Sequence, residues 1–392
     1  MTTLEERSLK TRELNKQKLK KVIPLVKVIN GYFVGGCVRD YIINKEIEDI
    51  DLVTEHSFSA DSLNKAFPNS CPKECGALFG VLKMNYENMS IDIAKTRDDH
   101  YATIGKRRDC AVNLNNISLK EDMQRRDFTM NSLLLDEDLE VVDLLKVGLN
   151  DLKEKRIRFI GEGERRIEED PLRSIRAIRF YSQLDEFQIE EATLKAIYDK
   201  RDLVKLLSKE RWGMEFEKIL LSNKACEGIC LIMELGLLEY NDTSFKLEGL
   251  DSLPKNSILR YAYLFYCIGL SKSGVEVGHL SKSDLYSIKW LSSNFNKSID
   301  LNAWANDFKS RIPCEKHIKL LSILKKEPIV LGEDIYFINE LAINGYDLLG
   351  VGVNEKQIGF VLRILLNCVK SGKLINKKNQ LLDYVKERKI WR

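Results

Sequence analysis

The spacing of apolar residues changes once along this chain, near Asp151, and this change constrains the fold more than any other feature. Before Asp151, short segments rich in β-branched or alternating apolar residues are separated by turn residues, which is typical of strands. These segments are GYFV (31–34), IEDIDLVT (47–54), FGVLKMNY (79–86), SIDIAKT (90–96) and EVVDLL (140–145). After Asp151, apolar residues recur at helical spacing, as in MEFEKILLS (214–222). This segregation predicts an α+β fold, in which a small mixed-sheet head is followed by an elongated all-α portion, and it disfavours a doubly wound repeat.

The length and hydropathy of the chain limit its class further. A chain of 392 residues is too long for one ordinary core, so two to four structural units are expected. Apolar residues spaced among lysines and arginines predict a helix over about the first 28 residues. The longest apolar runs, such as FVLRILLNCV (360–369), fall short of the ~20 residues that a membrane span needs. We therefore expect a cytoplasmic protein with no membrane partner, and both a monomer and a dimer stay open.

Positive charge is concentrated at the two ends of the chain. The net charge is only +3, but residues 1–30 carry eight Lys or Arg against three acids, and residues 367–392 carry eight against two. The local balances are thus +5 and +6. Such clusters are common on solvated helix faces, and they also suit a polyanionic partner such as a nucleic acid.

Two aspartates in IEDIDLVT form a candidate metal site. Strand alternation puts Asp49 and Asp51 on one face, while Ile50 and Leu52 point into the core. Two neighbouring carboxylates repel each other, and Mg²⁺, which prefers oxygen ligands and keeps positions open for phosphates, would offset that repulsion. Asp92, on another predicted strand, could complete the cluster. A solvated strand face is the alternative for all three acids.

A glycine pair precedes these acids by about a dozen residues. Val34 ends a predicted strand, and Gly35 and Gly36 leave no side chain to block a phosphate. The helix that begins in CVRDYII would aim free N–H groups at the same space, and Arg39 adds a cation one turn later. The segment therefore predicts a phosphate-binding turn beside the metal pair, although glycines also simply turn a chain.

The segment QRRDFTMNSLLLD offers a second set of polar groups before an apolar run. One interpretation is a capped helix with Asp127 near its start. In the other interpretation, Arg126 binds a phosphate or a ribose. Asp127 and Asn131 then bind sugar hydroxyls or hold the other site residues in place.

The segment EEDPLRSIRAIRF combines an acid with a basic ribbon. Pro171 suits the first helical position, which would make Asp170 an N-cap. Arg173, Arg176 and Arg179 then recur every three residues. A surface helix could carry such a ribbon without a function, but an acid followed by three arginines also suits a nucleoside triphosphate, with its base at one end and its phosphates at the other.

Together these motifs resemble one family. GGCVRD with DID, RRDFTMN, EEDPLRSIRAIRF and KERWGMEFEKIL, in this order and at these separations, are similar to the motifs of class II CCA-adding tRNA nucleotidyltransferases. That class falls within the tRNA nucleotidyltransferase and poly(A) polymerase family of the polymerase β superfamily. The segment from 343 to 374 also resembles the carboxyl-terminal part of bacterial members.

The resemblance implies a division of the chain and an activity. The nucleotidyltransferase catalytic head would span 1–145 with the first helix, a neck for base recognition 146–210, a helical body 211–330, and a tail that binds tRNA 331–392. The implied activity is template-independent addition of CCA to tRNA 3′ ends from CTP and ATP, with release of pyrophosphate.

The resemblance also implies roles for individual residues. Asp49 and Asp51 would be catalytic and hold two Mg²⁺ ions. The implied nucleotide-binding residues are Gly35, Gly36 and Arg39 at the triphosphate, Arg126, Asp127 and Asn131 near the ribose, Arg176 and Arg179 at phosphate oxygens, and Asp170 with Arg173 at the base. A carboxylate beside a guanidinium fits the adjacent donor and acceptor on cytosine and adenine, whereas guanine and uracil present the reverse order. KERWGMEFEKIL carries no evident chemistry and is assigned a structural role.

Other functions stay open at this point. The polar loop 98–116 has the length of the family's mobile loop, which favours a complete CCA enzyme, but an A-adding or CC-adding partial enzyme fits most of the motifs. A bacterial poly(A) polymerase shares them too. A catalytically silent RNA-binding module is disfavoured because it has no need of two repelling carboxylates.

Overall fold

The computed structural model describes residues 4–74, 80–101, 110–238, 247–269, 275, 279–296, 315–326 and 338–388. The chain divides into two compact units. The first comprises Met1–Thr243 and Ser273–His279, and the second comprises Ser244–Lys272 and Leu280–Arg392. The predicted borders at 145, 210 and 330 stay predictions.

Strands are concentrated in the first part of the first unit. Within the described residues they are β1 (Tyr32–Val34), β2 (Ile50–Thr54), β3 (Lys73–Glu74), β4 (Val81–Tyr86), β5 (Met89–Lys95), β6 (Asp98–Tyr101), β7 (Cys110–Asn113), β8 (Leu134–Leu135), β9 (Val141–Val142), β10 (Arg156–Ile157) and β11 (Gln188–Ile189). Seven of them form one sheet in the order β3-β4-β5-β2-β1-β8-β9. Only β2 and β5 pair in parallel there, so the sheet is mixed, as predicted.

The α-helices occupy most of the remaining described chain. They are α1 (Leu4–Ile29), α2 (Gly36–Ile42), α3 (Ala60–Ala66), α4 (Leu119–Gln124), α5 (Gly148–Lys153), α6 (Gly163–Glu169), α7 (Leu172–Gln183), α8 (Glu191–Asp199), α9 (Lys209–Leu220), α10 (Ala225–Glu234), α11 (Ser257–Ile268), α12 (Lys282–Asn294), α13 (Glu315–Lys325), α14 (Gly345–Gly350), α15 (Ile358–Lys370) and α16 (Lys378–Arg388). In the described parts of the chain, no helix has the length and apolar character that would let it cross a membrane.

Helix α1 is held against the head by one apolar face. Leu19, Val22, Val26 and Ile29 recur every three or four residues and are each at most 5% exposed. Asn15 on the same face is fully buried. Its amide donates to the Lys45 carbonyl at 2.7 Å and accepts from the Ile47 N–H at 3.1 Å, which fixes the chain just before β2.

Helix α7 is the central helix of the second half of this unit. It contacts α9 and α10, and its apolar face, with Ile175 and Ile178, is fully buried. A β-carbon at Gly228 of α10 would overlap the Ser182 hydroxyl and lie 2.9 Å from Ile219, so α10 approaches α7 and α9 closely because Gly228 has no side chain.

The second unit has its own apolar clusters. In its last part, Val361 and Leu365 of α15 pack with Leu381 and Val385 of α16, and all four side chains are fully buried. Asn344 begins α14 with a capping box, in which its side chain accepts from the Asp347 N–H and Asp347 accepts from the Asn344 N–H.

The predicted fold class is confirmed, and five predicted strand segments contain β1, β2, β4, β5 and β9. The capped-helix interpretation of RRDFTMN is wrong. Thr129–Asn131 form a single 3₁₀ turn, and the apolar run after it forms β8, which pairs with β1 because Leu134 and Leu135 complete the sheet core. The small parallel pair β10 and β11 also interrupts the region expected to be helical.

Gly228→Ala tests the close packing of α10. Alanine is the better helix former by about 1 kcal/mol, but its methyl group must displace Ser182 and Ile219. We expect a net loss of about 1 to 3 kcal/mol in the free energy of unfolding, measured by urea titration followed by circular dichroism. Gly350→Ala, at the last residue of α14, where nothing lies within 4 Å of the added carbon, is the control and is expected to keep its stability or to gain up to about 1 kcal/mol. Equal stability of the two variants would contradict this account of the packing.

Candidate active site

A cavity of about 350 Å³ opens beside the middle of the sheet. It is lined by residues from β2, β5, the turn after α4 and the start of α7. Its charged lining residues include Asp51, Asp92, Arg126, Asp170, Arg173 and Arg176. Side chains from four separate sequence motifs therefore share one cavity.

Asp51 is a predicted metal ligand that lines the cavity. Burial raises the pKa of its carboxyl to about 6, the charge of Arg126 opposes this rise, and the charges of Asp92 and Asp49 add to it. Asp49 lies one residue before β2 and is exposed. Asp92 is the register partner of Asp51 on β5, and its carboxylate lies 2.7 Å from the ammonium of Lys83 on β4.

These acids fit a hard divalent cation. The donors are carboxylate oxygens only, and Asp51 is destabilised as an anion until positive charge reaches it. In the described part of the chain, no group of three or more His, Cys, Asp or Glu residues is gathered as a complete metal cage. A pair of acids that leaves positions open for water and phosphates is how Mg²⁺ is usually bound.

Gly35 leaves space between the Asp51 carboxylate and the Arg126 guanidinium. Its φ is +76°, and a β-carbon would lie 3.4 Å from Arg126 Nη1 and 3.6 Å from Asp51 Oδ2. Gly36 begins α2, and a β-carbon there would lie 3.8 Å from Arg39 Nη2. A side chain at Gly35 would thus enter the space in which an anionic group can approach both the acid and Arg126.

Arg39 is directed into the protein. It is 7% exposed, and its guanidinium donates to Asp40 at 2.9 Å and to Asn131 Oδ1 at 2.8 Å. It also lies 5.0 Å from the centre of the Phe180 ring. These contacts connect α2 to the RRDFTMN turn and to α7, and the predicted contact of Arg39 with a triphosphate stays a prediction.

Asp127 joins the head to α7. Its carboxylate accepts from the Phe128 N–H at 2.8 Å, from Asn131 Nδ2 at 3.2 Å, and from Arg176 Nε at 2.8 Å. Burial alone would raise the pKa of Asp127, but the charges of Arg176 and Arg173 lower it to about 2. The residue is therefore ionised at any working pH, and it holds Arg176 at the cavity.

Asp170 and Arg173 both line the cavity, and each is held by another residue. Asp170 accepts from Arg211 Nη2 at 2.8 Å and from the Leu172 N–H at 3.2 Å, at the start of α7. Arg173 donates to Glu169 Oε2 at 2.6 Å and to the Arg125 carbonyl at 3.1 Å. The helix begins at Leu172, one residue later than predicted, and Asp170 still satisfies one of its free N–H groups.

Arg179 is directed toward α9. Its guanidinium lies 2.9 Å from Glu215 and 4.4 Å from the centre of the Phe180 ring. Burial and the nearby charge of Arg176 lower the pKa of Arg179 to about 10. Arg179 is 9% exposed, whereas Arg176 keeps 33% of its side chain exposed at the cavity.

Three residues of this network were missed by reasoning from the sequence. Asp122 is fully buried and pairs with Arg125 and Arg126, and its spacing of three and four residues on a short helix was a usable signal. Arg211 and Glu215 lie on α9, which was assigned a structural role. Arg211 is 41 residues from its partner Asp170, so no local pattern reveals the contact.

Two family models match the chain. The model described as the poly A polymerase head domain matches residues 31–158, and the one described as the probable RNA and SrmB-binding site of polymerase A matches residues 186–241. The first match contains the glycine pair, the acids and the RRDFTMN segment, and the second contains α8, α9 and α10.

Several curated relatives match most of the chain. The CCA-adding enzyme of Enterococcus faecalis is 30% identical, over 95% of this chain and 97% of the relative. That of Lactobacillus delbrueckii subsp. bulgaricus is 30% identical, over 91% and 93%. That of Limosilactobacillus reuteri is 38% identical over a shorter part, 67% of this chain and 64% of the relative.

Solved structures share the fold. The CCA-adding enzyme of Bacillus stearothermophilus in complex with CTP superposes with a TM-score of 0.65 at 24% identity, covering 96% of this chain and 98% of that chain. The Thermotoga maritima CCA-adding enzyme complexed with tRNA superposes with a TM-score of 0.55 at 20% identity, covering 95% of each.

The raised pKa of Asp51 predicts a pH-dependent gain in stability on its removal. As the pH rises, the Asp51 carboxyl loses its proton near pH 4 in the unfolded chain but only near pH 6 in the folded chain. Above about pH 6, ionised Asp51 therefore destabilises the fold. We expect Asp51→Asn to raise the free energy of unfolding at pH 8 by on the order of 2 to 3 kcal/mol, and by much less at pH 4.

Urea titrations without divalent cations or nucleotide measure this gain. Asp138→Asn, an exposed loop position, is the control and is expected to change little at either pH. A loss of stability in Asp51→Asn at pH 8, or a gain of equal size at both pH values, would refute the burial argument.

Proposed function

This chain belongs to the family of CCA-adding enzymes, and we propose that it adds C, C and A to tRNA 3′ ends from CTP and ATP without a nucleic-acid template. The observation that carries the proposal is the shared cavity, in which Asp51 from the head lies with Asp170 and Arg173 from the start of α7. The solved relatives include complexes with CTP, ATP and tRNA, which supports these partners. The predicted cytoplasmic location is part of the proposal.

The catalytic step needs a divalent cation, and we assign it to Asp49 and Asp51. The family implies divalent metal use, and the oxygen-only donors and raised pKa of Asp51 favour Mg²⁺, in the two-ion arrangement that the resemblance implies. When bound, the metal supplies charge neutralisation at the α-phosphate and at the leaving pyrophosphate.

The triphosphate is proposed to lie along Gly35, Arg126 and Arg176. Gly35 leaves room beside Asp51, Arg126 Nη1 faces that room, and Arg176 is held at the cavity edge by Asp127. Guanidinium groups match phosphate oxygens in geometry and charge. Arg39 and Arg179 are buried and paired, and their contacts favour a supporting role for both.

The base is proposed to be read by Asp170 and Arg173. Cytosine and adenine place an amino donor next to a ring acceptor, which pair with a carboxylate and a guanidinium. Guanine and uracil would leave both protein groups unsatisfied, at about 1 to 3 kcal/mol for each buried group. In the structure Asp170 accepts from Arg211 and Arg173 donates to Glu169, so the base would share both groups with these protein partners.

A poly(A) polymerase is the second candidate. The observation that favours it is that the model matching residues 31–158 is described as a poly A polymerase head domain. Both activities use the same catalytic parts, so the motifs alone do not separate them. The loop predicted to separate complete from partial CCA enzymes spans 98–116, and its residues 102–109 lie outside the described chain. A-adding and CC-adding activities are therefore separated by experiment.

Single-nucleotide incorporation on three tRNA ends tests the activity. The purified protein is incubated with Mg²⁺, one labelled nucleotide at a time, and tRNA ending before CCA, after C or after CC. We expect C on the first two ends, a single A on the third, and no G or U. Repeated addition of A to generic RNA would indicate the poly(A) polymerase, and a failure to incorporate any nucleotide would refute the proposal.

Thermal unfolding with and without Mg²⁺ tests the metal site independently of activity. We expect 10 mM Mg²⁺, a concentration chosen at roughly ten times a millimolar dissociation constant, to raise the stability of the wild type by on the order of 1 kcal/mol. Asp51→Asn is expected to lose this response because it removes the buried ligand. Asp138→Asn is the matched control, and an equal Mg²⁺ response in all three proteins would refute the assignment.

A further inference from the structure

We propose that Asp122 is a positioning residue that fixes, through one carboxylate, both the arginine beside the catalytic acid and the hairpin β6–β7 that borders the cavity. The nucleotide-binding part of this inference rests on the proposed function, and the part that concerns the hairpin does not. Neither the resemblance nor the site motifs assign a role to Asp122.

Asp122 is buried on a helix whose position is fixed. Helix α4 begins with a capping box, in which Ser118 accepts from the Glu121 N–H and Glu121 accepts from the Ser118 N–H. One turn later, the Asp122 side chain is 0% exposed, and the charges of Arg126 and Arg125 outweigh its burial and hold its pKa below the usual value. A buried carboxylate of this kind is tolerated only when its oxygens are fully paired.

One carboxylate oxygen holds Arg126. Oδ2 accepts from Arg126 Nε at 3.3 Å and from Arg126 Nη2 at 3.1 Å. The remaining nitrogen, Nη1, faces the space beside Gly35, and its charge acts on Asp51. The two bonds to Asp122 therefore fix the plane of the guanidinium and determine where its free edge meets the cavity.

The other oxygen holds the base of the hairpin. Oδ1 accepts from Arg125 Nε at 2.9 Å, from Arg125 Nη2 at 2.5 Å, and from the Arg97 N–H at 3.2 Å. Arg125 also donates to the Arg97 carbonyl at 2.8 Å and to Asp99 Oδ2 at 3.0 Å. Asp99 is the second residue of β6, so Asp122 and Arg125 together fix the point at which the chain enters the hairpin.

The two branches meet at the same cavity. Arg97, Asp99 and Arg125 line it from the hairpin side, and Arg126 lines it from the side of the acids. A carboxylate with a purely structural role would need partners only in the core. Here both oxygens orient groups whose outer edges face the proposed nucleotide, so a change at Asp122 moves two walls of the site at once.

An amide cannot replace this carboxylate. Asparagine has the same shape but a single acceptor oxygen, and its NH₂ group would face guanidinium N–H donors. Asp122→Asn therefore releases one of the two arginines while it leaves the volume of the core unchanged. Thr54→Val is the matched control, because it is an equally isosteric change at a buried hydrogen-bonding side chain of the head, away from the cavity.

Two measurements test the inference. Calorimetric titration with CTP in the absence of tRNA reports nucleotide binding, and hydrogen–deuterium exchange of β6 and β7 reports the hairpin. For Asp122→Asn we expect the dissociation constant for CTP to rise about tenfold to a hundredfold, since charge-assisted hydrogen bonds orient Arg126. We expect exchange in the hairpin to accelerate about tenfold or more, while β2 and β5 stay protected. In turnover assays the KM for CTP should rise much more than kcat falls.

The outcomes separate this inference from the proposed function. If the wild type binds no CTP, the proposed function fails, and the hairpin exchange still decides whether Asp122 fixes the hairpin. If Asp122→Asn matches Thr54→Val in both measurements, the inference is overturned.

A second variant covers the case in which Asp122→Asn does not fold. Arg125→Lys keeps the charge at this position but loses the forked contacts to Asp122 and Asp99. It is expected to accelerate exchange in β6 and β7 about tenfold, and an unchanged hairpin would overturn the inference.

Discussion

The ion pair between Asp127 and Arg176 is the interaction on which the arrangement of the site depends. Asp127 directly follows Arg126 in the chain, and Arg176 belongs to α7, which begins two residues after Asp170. Asn131 extends the link, because it donates to Asp127 and accepts from Arg39 on the helix after the glycine pair. These contacts bring the part of β2 that carries Asp51 and the start of α7, next to Asp170, to one cavity, although the two segments are more than a hundred residues apart in sequence.

The cavity is assembled from charges that are individually costly to bury. Burial raises the pKa of Asp51 to about 6, whereas Asp122 and Asp127 have lowered pKa values because arginines surround them. The fold therefore pairs Asp122 and Asp127 with arginines and leaves Asp51 short of positive charge. In the proposed function, a divalent cation and the phosphate-binding arginines would supply that charge together, which would tie metal binding to nucleotide binding.

The α+β class, the five main strand segments and the four site motifs could be read from the sequence, because alternation, helical spacing and turn residues act locally. The strand β8 could not, since Leu134 and Leu135 are a short apolar run that fits a helix equally well until β1 offers an open edge. The main partner of Asp170 could not be predicted from the sequence either, because an acid followed by Pro171 suggested an N-cap. It does accept from the Leu172 N–H, but its stronger partner, Arg211, lies 41 residues away.

The sequence by itself determined which chemical groups are available: two aspartates one residue apart, a glycine pair that leaves space, and an acid followed by three arginines. Only the tertiary structure decided which of those groups reach the cavity and which stabilise it. Arg176 keeps a free edge there, while Arg39 and Arg179, equally basic in the sequence, are buried against Asp40, Asn131 and Glu215. The physical reason is that a charge can be buried only beside its counter-charge, and the positions of counter-charges from distant segments are set by packing.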